Sequence, residues 1–335
     1  MGRNLDLTDS AVKAFVDSRS ARARQAWENM NKEKGRSYLW GDIKITGSAS
    51  GPITSNFTML KCMAMGYAIE GTDLYHNEAL AADIIEAFTW LLDKYYNEKV
   101  TSYDNWYDWQ IGIPTQLADV STCMYEVFPD KLKKRIADSY LHFSPYVDGN
   151  PGAAGANLLW LCGNSIRIGC VAGDEKLVRY GARLLQYAFP TVTEGDGFYE
   201  DGSFIQHTYS PYSGGYGVSM MSSLMSVLYM VSGTAFQPTY PEVNNIYNWF
   251  YEGYEPIIYK GSLMNMVRGR EIARSYSTEA TAGKTMLSTA LTLATISENA
   301  GRTEDALRSA CRRSVLLNLN VWVMITTAAG ITPTA

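Results

Sequence analysis

The 335-residue chain is 46% hydrophobic and 19% charged, which supplies a large packed core and excludes a disordered chain. A net charge of −5 leaves no broad basic surface, so no nucleic-acid partner is expected. Five scattered cysteines (Cys62, Cys123, Cys162, Cys170 and Cys311) form no CxxC pair. That argues against both a disulfide framework and a zinc site, and reads most of them as small buried hydrophobes.

In chain order, the opening MGRNLDLTDSAVKAF has no apolar signal core and no Ser or Thr at the sixth position. It implies a chain that is not exported, or one whose leader has been removed, and no myristoylation. The cluster Thr8-Asp9-Ser10 precedes an amphipathic, Arg- and Ala-rich stretch, predicting a helix over residues 7–32, and residues 37–53 read as loop. Helical periodicity then recurs at 54–69, 78–95, 112–127, 130–143, 155–172, 174–188, 215–233, 241–256, 283–300 and 303–317. Turn formers occupy the joints, as in Asp148-Gly149-Asn150-Pro151-Gly152 and Gly173-Asp174. Helices in this number with few strands predict an all-α fold of helical hairpins, stacked or closed in a ring, and no fixed-length repeat marks a regular solenoid. After Arg313 the chain carries no charge, but Asn318, Asn320 and Gly330 interrupt the apolar run and no basic flank follows. A membrane span is therefore not expected; residues 1–317 read as one helical domain and 318–335 as a tail or the start of a further β domain.

Four stretches have the composition of a site. The first, GFYEDGSFIQHTYSPYSGGYGVSMM (197–221), holds His207, one of three histidines, with Tyr216 nine residues on. Pro211 and Gly214-Gly215 lie between, so it reads as a loop pinned by the apolar helix that follows, a geometry suited to a base and an acid. NWYDWQIGIP (105–114) sets Trp106, Tyr107 and Trp109 beside Asp104 and Asp108. Such dense aromatics form either core or, with flanking acids and a Gly-Ile-Pro turn, the wall of a cleft. In GAAGANLLWLC, Asn157 opens a helix, either as a cap or as an amide donor for a substrate carboxylate. In MVRGREIARS, Arg268 accompanies Arg270 and Arg274, whose i, i+4 spacing predicts a shared helical face for ion pairs or anionic sugars. The 23 tyrosines and 8 tryptophans add ring faces on which sugars stack.

Together, NWYDWQIGIP, GAAGANLLWLC, DGSFIQHTYSPYSGGYG and RGREIAR resemble the catalytic α-domain of family 8 polysaccharide lyases, in the same order across residues 105–274. The resemblance implies an incomplete (α/α) toroid whose cleft holds an acidic polysaccharide, and β-elimination that leaves an unsaturated uronate end. It assigns Asn157 to the uronate carboxylate, His207 and Tyr216 to removal of the C5 proton and protonation of the leaving oxygen, and Arg270 to the tyrosine. Arg274, Trp106, Tyr107 and Trp109 fall to substrate binding. Since family members often have Trp where Tyr107 stands, that role is the less secure of the aromatics. Which of His207 and Tyr216 is the base stays open, because a free tyrosine titrates near 10 and a tyrosinate base needs a neighbouring cation.

The resemblance further implies no metal and no cofactor, because Asn157 supplies the charge neutralisation, and it implies action outside the cell, here as a monomer. The PYSGGYG form of the loop favours hyaluronan or chondroitin over xanthan. Family members continue into β-sandwich domains that close over the cleft and contribute a glutamate, for which no counterpart is expected within residues 1–335. Two other readings are a non-catalytic carbohydrate-binding scaffold and a glycoside hydrolase using Asp196, Glu200 or Asp201, which needs carboxyls about 5–9 Å apart. No G-x-S-x-G appears for nucleophilic hydrolysis.

Overall fold

Asp9 fixes where the first helix begins. Its carboxylate accepts from the amides of Ala11 and Val12, so α1 spans Ser10–Glu28, shorter at both ends than predicted. The computed structural model describes residues 4–296. Within them the chain divides into two compact units, residues 1–147 with 164–180, and residues 148–163 with 181 onward.

In the first unit α2 (Gly51–Ala68) follows, then α3 (Glu78–Tyr95), α4 (Ile113–Cys123) and α5 (Asp130–Phe143). α2 packs against α1, α3 and α4 and buries Ile53, Phe57, Leu60, Met63 and Tyr67 along one stripe at helical spacing, with Thr58 exposed on the other side. Asp104 caps it from a distant part of the chain by accepting from the Ser50 amide at 3.0 Å, and this explains a start earlier than its own sequence predicts. Phe57 meets Phe88 edge to face and Phe88 meets Phe128 at a tilt in the core, with ring centroids 5.4 and 5.1 Å apart. The last helices are α6 (Gly155–Ala172), whose residues from Asn164 belong here, and α7 (Glu175–Leu184), shared in the same way.

The second unit carries the remaining elements. Strands β1 (Gly197–Phe198), β2 (Phe204–Gln206) and β3 (Ser210–Pro211) form an antiparallel sheet where the sequence predicts loop. A π-helical turn, Ser213–Gly217, leads into α8 (Val218–Val231). The helix predicted over 241–256 is broken into 3₁₀ turns, the short α9 (Asn245–Asn248) and a π turn; Pro256, with no amide hydrogen, cannot continue an α-helix. β4 (Ile258–Tyr259) and β5 (Ser262–Leu263) pair through Lys260-Gly261, both at positive φ as a tight hairpin requires. α10 (Glu279–Ile296) packs on α8, and Phe198 stacks on Trp249 at 4.4 Å in the core of the unit. The predicted helix at 303–317, the end of that at 283–300 and the tail at 318–335 lie outside the described residues. No helix among the described residues is long and apolar enough to cross a membrane.

Of the cysteines described, Cys162 is buried, Cys62 and Cys123 are half-buried, and Cys170 is exposed, so the expectation of buried hydrophobes fails for Cys170. It stands on the exposed side of α6 near its C-terminal end.

Candidate active site

The second unit builds its polar centre on the β2–β3 hairpin. Gln206 pairs with Ser210, leaving His207, Thr208 and Tyr209 as the turn. His207 and Thr208 both adopt left-handed backbone, φ +57° and +73°. His enters that region more readily than most side chains, whereas β-branched Thr is out of place there, and such a position costs about 1–3 kcal/mol. The strain holds the imidazole on an exposed tip.

Tyr212 returns the chain to the sheet by donating its amide to the Phe204 carbonyl at 2.8 Å. The π turn after it is held by the Tyr254 hydroxyl, which donates to the Ser213 carbonyl at 2.9 Å. An extra residue in a helical turn re-aims the side chains around it, and here it presents Tyr216, half-buried, to His207. The two rings meet edge to face with centroids 4.9 Å apart.

Gly214 admits the third participant. A Cβ there would stand 2.6 Å from Arg268 Cγ and 2.8 Å from the Val267 carbonyl, so the glycine lets the 265–273 segment close onto the turn. Arg270 is thereby carried over both tyrosines, its guanidinium carbon 5.8 Å from the Tyr212 ring centre and 5.7 Å from that of Tyr216. Its Nε donates to the Tyr212 hydroxyl at 3.1 Å, and its Nη2 reaches the Tyr216 hydroxyl at 3.4 Å and His207 Nε2 at 3.5 Å. A guanidinium has no acceptor, so a hydrogen bond at the last contact needs a lone pair on His207 Nε2.

Beneath this triad lies a pair that sequence reasoning did not single out. Tyr212 is only 3% exposed and donates its hydroxyl to Glu271 Oε1 at 2.7 Å. Burial, then the hydrogen bond to Glu271, pushes its phenol up to about 12 despite Arg270, so Tyr212 stays protonated. Arg274 completes the pair through Glu271 Oε1 at 2.9 Å. The signal was present, since Glu271 stands inside RGREIAR, but nothing in the sequence separates a buried acid from an exposed one.

Several expectations need correction. Arg270 and Arg274 share no helical face, because residues 269–273 form a 3₁₀ turn and Arg274 is already extended. Arg268 is buried and held by Asn265 and the backbone carbonyls of Glu271 and Ser277, a structural role. In the first unit, Trp109 is 1% exposed, donates to the Tyr103 carbonyl at 2.7 Å and packs between Tyr96 and Phe143, so it is core and not a substrate contact. Trp106 is 51% exposed and Tyr107 half-buried, their rings edge to face at 6.3 Å. Asp104 and Asp108, read as acids flanking a cleft wall, instead hold Ser50 and Thr54.

Asn157 is the third residue of α6 and not its cap. Trp160, one turn on and therefore on the same face, packs against the Tyr216 ring at 6.2 Å. That spacing puts Asn157 on the Trp160 face of the helix.

A helical scaffold that offers an imidazole and a phenol to one guanidinium has the groups that general acid–base chemistry uses. The family description "Polysaccharide lyase family 8, N terminal alpha-helical domain" matches residues 1–313, and the chain belongs to that family. A xanthan lyase of Bacillus sp. (strain GL1) is 34% identical over 88% of this chain and 31% of its own length. For a hyaluronate lyase of Enterococcus faecalis the figures are 30%, 82% and 29%. The solved Paenibacillus xanthan lyase superposes with a TM-score of 0.91 at 32% identity, over 99% of this chain and 32% of that one. A Streptomyces coelicolor A3 chondroitin AC lyase in complex with chondroitin sulphate gives 0.86 at 25% identity, over 100% and 48%. The chain thus spans about a third of the curated relatives it matches and up to half of the solved ones.

Proposed function

We propose that the chain carries the catalytic centre of a polysaccharide lyase that cleaves a uronic-acid polymer by β-elimination. The observation that carries this reading is the single guanidinium within 3.5 Å of both His207 Nε2 and the Tyr216 hydroxyl. Elimination requires the C5 proton to leave for a base while the C5–H electrons pass into the carboxylate as an enolate-like charge. Those electrons then return to form the C4–C5 double bond as the C4–O bond breaks, and the departing oxygen takes a proton. Two proton-handling groups side by side meet both needs on one face of the sugar. Arg270 favours negative charge at its neighbour and opposes positive charge, so Tyr216 is the member that passes through a phenolate and His207 works as the neutral imidazole beside it. Asn157 donates its amide to the uronate carboxylate, stabilising the enolate-like charge that makes the C5 proton acidic enough to leave.

The hydrolase reading has less support. Asp196 accepts from Thr208 and Gln206, and Asp201 accepts from the Ser203 amide at 2.9 Å, so both carboxylates serve turns. Hyaluronan or chondroitin remains the favoured substrate, with xanthan the alternative that the similarity to xanthan lyases supports. Trp106 and Tyr107 would contact the polymer, and polymers of this kind are met outside the cell. The test is ultraviolet absorbance of the conjugated unsaturated uronate after mixing with hyaluronan, chondroitin sulfate and xanthan in turn, with EDTA present. A rise supports elimination and names the polymer. New reducing ends without absorbance would mean hydrolysis, and binding without either would mean a scaffold.

A further inference from the structure

The strained turn that carries His207 has a brace outside the catalytic set. Asp196, just before β1, divides its carboxylate between two partners. Oδ1 accepts from the backbone amide of Thr208 at 2.5 Å, and Oδ2 accepts from Gln206 Nε2. Thr208 is the second left-handed residue of the turn, so its amide points where an ordinary strand would not send it. Gln206 is 1% exposed, and its Oε1 has no hydrogen-bond partner among the described residues. That oxygen lies against the space a Cβ of Gly155 would fill, and Gly155, at φ +56°, is the first residue of the helix that carries Asn157. The carbonyl dipole therefore points at the positive end of α6, where uncompensated amides favour a negative partner.

We infer that the Asp196–Gln206 pair is a positioning device that fixes His207 relative to Asn157, and this rests on the lyase reading above. The half-site in the hairpin and the half-site on α6 are 50 residues apart in sequence, and this bracket joins them through one carboxylate and one buried amide. Asp196 acts through the residues on either side of His207, holding the Thr208 amide and the Gln206 side chain.

The pair can be tested by exchanging its chemistry. In Asp196→Asn, an amide nitrogen replaces Oδ2 and faces the Gln206 nitrogen, two donors with no acceptor between them. In Asp196→Asn/Gln206→Glu the donor and acceptor are swapped, while Oδ1 still accepts from Thr208. Asp196→Asn is expected to lower kcat by roughly 10- to 100-fold with KM changed little, the scale of a small misplacement of a catalytic group. The double variant should recover at least about a tenth of the wild-type rate. Hydrogen exchange of the 204–210 segment gives a second readout: it should quicken about tenfold or more in Asp196→Asn, with the helices unchanged, and slow again in the double variant. Wild-type exchange and wild-type kcat in Asp196→Asn would overturn the proposal, as would a double variant no better than the single. If the wild-type chain turns over no uronate polymer, the lyase reading falls, and the exchange measurement still decides whether Asp196 holds the turn.

Discussion

Removing the Tyr212 hydroxyl probes the layer under the site. In Tyr212→Phe the ring remains in its buried place, and two polar contacts are lost, the 2.7 Å bond to Glu271 and the 3.1 Å bond from Arg270 Nε. Hydrogen bonds to charged groups contribute about 1.5–3 kcal/mol each. They do not count equally here. Arg270 is exposed and water replaces the phenol oxygen, whereas Glu271 is buried and keeps only Arg274, at 2.9 Å. The Glu271 end therefore dominates, and the expected destabilisation is about 2 kcal/mol, or roughly 3 °C in Tm for a chain of this size. Arg270 also loses the contact that fixes its orientation, so kcat should fall about tenfold, equivalent to ~1.4 kcal/mol of transition-state stabilisation, with KM nearly unchanged. Differential scanning calorimetry and the uronate absorbance assay measure the two effects. A variant that melts within a degree of wild type and turns over at the wild-type rate would show that Tyr212 and Glu271 support nothing.

Tyr216→Phe should abolish turnover while polymer binding persists, because only the proton-carrying hydroxyl is removed; retained turnover would take Tyr216 out of the proton transfer. Asn157→Ala should lower kcat by about 10²–10³, the usual loss for one oxyanion donor, and the same assay reads it. Gly214→Ala puts a methyl 2.8 Å from the Val267 carbonyl, a backbone atom that cannot step aside, so a loss of about 1–3 kcal/mol is expected together with reduced kcat as Arg270 is pushed away; urea titration checks the first. The alkaline limb of stability carries a further signature. The Tyr212 phenol is raised in the folded chain to about 12, so above pH ~10 the unfolded chain releases this proton while the folded chain keeps it. Its contribution is full below pH ~10 and is lost as pH rises toward 12. The fall in unfolding midpoint over that range should be shallower in Tyr212→Phe than in wild type.

The sequence by itself located most of the described helices and pointed to three side chains that the structure brings together. Helices 78–95, 130–143 and 155–172 matched α3, α5 and α6 to the residue, because their apolar periods are local properties of the chain. His207, Tyr216 and Arg270 were legible as rare chemistry in glycine-rich surroundings, and the structure brings these three together. What only the tertiary structure decided depends on partners far along the chain. The start of α2 is set by Asp104, 54 positions from the Ser50 it caps. Trp109 and Trp106, three residues apart in one aromatic run, divide into core and surface because Tyr96 and Phe143 cover one of them. Arg274 leaves the expected helical face for Glu271, since a 3₁₀ turn rotates successive side chains further than an α-helix does. Local periodicity fixes which segments coil, but burial and charge pairing are sums over neighbours from distant segments, and those neighbours exist only once the chain has folded.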